Sequence, residues 1–107
     1  MSDWYTLDND RNVIGPFEIS KAVSLPHDKR IVAKTKVYDG CNVSTVFLQV
    51  DHSWNRGPND PPIVFETMVF GGPFDQEQER YATWAEAESG HARMVEKCQP
   101  IMTEDAP

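Results

Sequence analysis

Apolar and polar positions interleave from Ile31 to Val37: Ile31, Ala33, Thr35 and Val37 alternate with Val32, Lys34 and Lys36. A period of two places the sets on opposite faces of a strand, so the stretch predicts a half-exposed strand with amines on its outer side. Asp39-Gly40 follows, a hairpin turn signal between two strand-like runs. The next run, Val43–Val50, reads "VSTVFLQV" and ends abruptly in Asp51, His52, Ser53 and Trp54. A polar loop, "DHSWNRGPNDPP", leads to a further strand, "IVFETMVF", from Ile63 to Phe70, which Gly71, Gly72 and Pro73 stop. Both of these strands carry apolar groups on both faces. That pattern suits central strands, with a helix over one face and partial cover over the other.

The period changes after Tyr81. Thr83 and Glu86 are spaced as a capping box, in which a hydroxyl and a carboxylate each take an orphan backbone N–H. Trp84, Ala87, His91, Met94, Val95 and Cys98 then recur at intervals of three and four, which draws one stripe along a helix. Glu86, Arg93, Glu96 and Lys97 take the other side, and Pro100 follows the end. The N-terminal region is less regular. Trp4–Leu7 reads as a short strand, "DNDR" as a turn, and Val13-Ile14 as a return strand stopped by Gly15 and Pro16. Phe17 to Leu25 is weakly helical up to Pro26.

Together these elements predict an α+β fold. It is a small antiparallel β-meander of three to four strands with a C-terminal amphipathic helix packed across one face. Residues 1–98 form one domain, and 99–107 an acidic, disordered tail. "GGPFDQEQER" reads as an acidic loop between the last strand and the helix.

Composition refines this picture. A chain of 107 residues fits one domain with a small core. The net charge is -7, and residues 71–107 hold eight acids against three bases. Such a balance disfavours direct nucleic-acid binding, which needs a basic footprint, and suits a basic partner or simple solubility. Cys41 and Cys98 stand far apart and match neither a disulfide framework nor a zinc pattern. They suggest a reduced compartment, with Cys41 exposed beside its turn glycine. The N-terminus lacks the pattern of a signal peptide, and no apolar run is long enough to cross a membrane.

The candidate chemistry is sparse. Glu66 sits within an apolar strand, where it needs either solvent or a partner, and Lys34 and Lys36 are the cations in view. His91 on the helix stripe reads as a core-edge histidine with one nitrogen bonded. A sharper alternative brings His52, His91 and a carboxylate, Asp51 or Glu66, together as a metal or acid–base site. Gly90 costs the helix roughly 1 kcal/mol against Ala, so a close approach to the sheet is expected there. Asp8, Asp10 and Asn12 begin like a calcium loop, but Val13 and Ile19 stand where the turn glycine and the bidentate acid belong. Trp4, Tyr5, Trp54 and Phe74 lie near turns and would cap the sheet's open face. If they were exposed together, they would mark an interface, most simply a homodimer.

Three blocks, "VSTVFLQVDHSW", "FETMVFGG" and "RYATWAEAESGHARMV", span Arg30 to Val95. Together they resemble a widespread family of short, uncharacterised proteins of tailed phages and prophages. Asp51, His52, Phe65, Glu66, Thr67, Met68, Tyr81, Trp84, Glu86, Gly90 and His91 lie on that pattern. The resemblance implies an accessory protein made in the bacterial host cytoplasm, acting by binding. The leading expectation is a non-enzymatic protein that binds a host protein or complex, with inhibition of an antiphage defence component as the expected effect. It requires no cofactor, no metal and no membrane. The runner-up is a sponge for a nucleotide-like small molecule, with His52, Trp54, Arg56, Glu66 and His91 as the binding residues. A metal-dependent enzyme is the third reading.

Overall fold

The computed structural model describes residues 4–17, 25–51 and 60–100. Strands β1 (Trp4–Leu7) and β2 (Val13–Phe17) form an antiparallel hairpin. A single helical turn, α1 (His27–Arg30), leads into β3 (Ile31–Tyr38) and β4 (Cys41–Phe47). β5 (Phe65–Phe70), β6 (Gln78–Tyr81) and the long helix α2 (Trp84–Cys98) follow. β3, β4, β5 and β6 make one antiparallel sheet in that order, and α2 packs on one of its faces. The fold is the α+β meander that the alternation predicts.

Four local expectations are corrected. The weak helix expected from Phe17 fails at its first residue, because Phe17 ends β2; residues 18–24 lie outside the described residues. The acidic loop before the helix contains β6, a fourth strand paired to β5. Tyr5 does not cap the open face; it is 4% exposed in the core beside Phe47 and Phe65. Cys41 is buried, because the hairpin turn folds it under Tyr38 and against Val43. The expected tail falls largely outside the described residues, as does Trp54.

The ends of the strands have specific restraints. Leu48 N–H still bonds to Val64, and Asp51 then accepts the Ile63 N–H at 3.0 Å, tying off the loop between the two strands. Gln49 is buried, with φ +67, and joins the hairpin to the sheet. Its side-chain amide donates to the Tyr5 carbonyl at 3.2 Å and its oxygen accepts from Leu25 N–H at 3.2 Å. A Cβ on Gly71 (φ +90) would stand 1.7 Å from the Gly40 carbonyl oxygen, so the β3–β4 turn and the β5 end approach closely only because that side chain is missing.

The side of the sheet under α2 holds two apolar clusters. One gathers Tyr5, Phe47, Val64, Phe65, Tyr81 and Ala87 near the start of the helix. The other gathers Cys41, Val43, Val69, Met94 and Cys98 near its end. Thr45, Thr67 and His91 are also buried and separate the two.

Candidate functional site

His91 projects from α2 onto the sheet. Its Nε2 is 2.8 Å from Thr35 Oγ1 and its Nδ1 is 2.8 Å from Thr45 Oγ1. Thr45 and Thr67 are cross-strand partners whose hydroxyls lie 2.5 Å apart. Tyr81 Oη then lies 3.1 Å from Thr67 Oγ1 and 2.8 Å from Glu79 Oε1, and Glu79 also receives Arg93 at 3.4 Å. The direction of the protons follows from one end. A carboxylate only accepts, so Tyr81 spends its single hydroxyl proton on Glu79. Thr67 must then donate to Tyr81, Thr45 to Thr67, and His91 Nδ1–H to Thr45. Nε2 is left to accept from Thr35. Every hydroxyl in the chain is used once, and the ring is the neutral Nδ1–H tautomer. Burial pushes the His91 pKa below its ordinary value, which agrees with a neutral ring. Burial likewise pushes Tyr81 up to about 12, so it stays a donor.

Glu66 points the other way. Burial alternates along β5: Phe65, Thr67 and Val69 are buried, while Glu66 and Met68 are half-buried and Phe70 is exposed. Glu66 therefore belongs to the face opposite α2 and does not meet His91. The convergence of those two residues is excluded by strand alternation. The Glu66 partner is Arg80, directly across the ladder on β6 at 3.0 Å, and not Lys34 or Lys36, which sit two strands away on β3. His52, Trp54 and Arg56 lie outside the described residues. Asp8 is a turn brace, not the start of an ion site: it accepts the N–H groups of Asp10 and Asn12 at 2.8 and 2.9 Å. The Asn12 N–H holds its carboxyl below the usual range. Among the described residues, no three His, Cys, Asp or Glu side chains are grouped as metal ligands.

Two of the concave surfaces among the described residues bear on binding. One, of about 910 Å³, separates the β1–β2 hairpin from the start of α2, and Tyr5, Arg11, Pro61 and Trp84 line it. Arg11 stacks on the Trp84 ring at 4.6 Å, while Phe65 meets that ring edge-on at 6.2 Å. The other, of about 550 Å³, lies on the uncovered face of the sheet between Lys34, Lys36, Asn42, Ser44, Val46 and Phe70. Phe70 is 49% exposed there. By register and alternation this face carries Lys34, Lys36 and Arg80; Glu66 pairs with Arg80 at 3.0 Å, and Asp39 of the β3–β4 turn pairs with Lys36 at 2.6 Å. It is a partly apolar surface with the amines of Lys34 and Lys36 at its rim, on a chain of net charge -7. The sequence reading overlooked it as a site. The signal was present in Val46, Met68 and Phe70, apolar residues on the strand face that the helix does not need.

Compared with protein families, curated proteins and solved structures, the chain matches none. Among the described residues no helix is long and apolar enough to cross a membrane.

Proposed function

We propose that this chain is a phage accessory protein that acts by binding a host protein through the uncovered face of its sheet, without chemistry of its own. The observation that carries the reading is the exposed Phe70 among Lys34, Lys36, Asn42 and Val46. A half-open aromatic beside apolar neighbours supplies area to bury, and amines at the rim supply steering and register. Lys34 and Lys36 beside Phe70 suit an occupant with an acidic group next to an apolar side chain, the acid competing with Asp39 for Lys36. The binding reading also suits His91, whose two ring nitrogens are both engaged by threonine hydroxyls within the fold.

The test is capture from bacterial lysate by the full chain, compared with a Phe70→Ser, Lys34→Glu double variant. A single discrete host protein retained by the parent and lost by the variant supports the reading. Capture that survives the variant, or no capture together with no effect of expression on phage plating, overturns it. A second reading, small-molecule binding, is favoured by the groove that holds Arg11 on Trp84. A rise in Tm with a panel of nucleotides, abolished by Arg11→Ala, would move the assignment there.

A further inference from the structure

Cys41 is the first residue of β4 and Cys98 the last of α2. The fold brings them together. They are 1% and 4% exposed and pack in one cluster with Val43, Val69 and Met94. Both are free thiols, and the chain has no other cysteine. We propose that this pair is a covalent modification site: it forms a reversible intramolecular disulfide by exchange with a low-molecular-weight disulfide of the glutathione type. The cross-link ties the last turn of α2 to the β3–β4 hairpin.

The exchange has an order. Cys98 reacts first, because it ends a helix whose neighbouring Glu96, Lys97 and Gln99 are exposed, and helix ends open locally. Its thiolate attacks one sulfur of the glutathione disulfide. That S–S bond breaks, and the departing glutathione thiolate takes up the proton Cys98 lost. Cys41 then attacks the Cys98 sulfur of the mixed disulfide and expels a second glutathione, which takes the Cys41 proton. Two protein thiols are oxidised and one glutathione disulfide is reduced to two thiols. Cys41 suits the second role because it stays put: it opens β4 within the sheet, Tyr38 packs against its cluster and Gly72 lies against it. Bond formation needs the sulfurs at about 2.05 Å, so the two side chains must turn towards each other. Burial pushes the Cys98 thiol up, so the exchange quickens as pH rises.

The experiment incubates the full chain in graded mixtures of reduced and oxidised glutathione, then blocks remaining thiols and measures intact mass and tryptic peptides. Oxidised mixtures should remove about 2 Da and join the peptide of residues 37–56 to that of 98–107. The Tm should rise by about 10 °C, because closing a long loop restrains the unfolded chain. Cys41→Ser should instead accumulate a glutathione adduct on Cys98. Two thiols still blockable in the most oxidising mixture, stable adducts on the parent protein, or cross-links only between molecules would each overturn the proposal. The mass of the parent protein decides the matter if the serine variant fails to fold.

Discussion

His91 combines a helix stripe and a polar belt in one side chain. The stripe marks it as inward-facing, but it does not say that both ring nitrogens find hydroxyls. Thr35 and Thr45 lie on β3 and β4, remote in sequence, and their distance from the ring depends on how far α2 sits above the sheet. The buried neutral ring makes stability depend on pH. The His91 pKa is lowered in the fold, so between that value and the ordinary 6.5 the unfolded chain binds more protons. Its contribution is fully present above about pH 6.5 and is lost as pH falls towards the folded value. Urea unfolding at pH 7.5 and 5.5 should show a lower midpoint in acid, and His91→Gln should flatten that difference. His91→Ala should cost about 2–4 kcal/mol at neutral pH, since it leaves a cavity and strands the buried Thr45 hydroxyl. The nearby Glu66–Arg80 pair on the other face is half-solvated, and Glu66→Gln should cost under about 1 kcal/mol.

α2 was legible because three independent signals coincide: the capping box at Thr83, the stripe, and the proline after its end. The structure contains both halves of that box, Glu86 N–H to Thr83 and Thr83 N–H to the Glu86 carboxylate. Thr83→Ala should lower stability by about 1 kcal/mol, read as a shift of the urea midpoint with unchanged slope. Gly90 tests the packing of the helix on β6. Alanine there gains helix propensity, but its Cβ would stand 2.1 Å from the Tyr81 hydroxyl and 2.2 Å from the ring carbon bearing it. Because that ring is fixed by Thr67 and Glu79, Gly90→Ala should be destabilising by about 1–3 kcal/mol despite the gain. The same thermal or urea titration decides the sign. β6 was overlooked for a physical reason. It is an edge strand of four residues with only Tyr81 buried, so its polar sequence carries no alternation to read.

Across the molecule, charge and surface are distributed unevenly. The acids accumulate late in the sequence, while the uncovered face of the sheet carries Lys34 and Lys36 at its rim. A partner should associate with that face more slowly as salt is raised from about 50 to 500 mM, because rim charges are screened within a Debye length of a few ångströms at the upper end. Phe70→Ser should weaken the same complex by tenfold or more while leaving Tm nearly unchanged, since Phe70 is half-exposed in the unbound fold. Titration calorimetry and a melting curve on one variant would separate the two effects.

Periodicity and turn chemistry are local properties, and they were enough to place β3, β4, β5 and α2 and to order the strands as a meander, although β4 ends at Phe47, four residues short of Asp51. Alternation even assigned Glu66 to the same face as Met68 and Phe70. Contacts between distant segments obey no such local rule. Only the packing of α2 on the sheet joined His91 to Thr35 and Thr45, set Cys98 against Cys41, and put Tyr81 under Gly90. It also left one sheet face uncovered. The stretch "VSTVFLQV" thus announced a core strand from its own pattern, but whether its neighbours built a metal site or a structural belt depended on which face each residue met after folding.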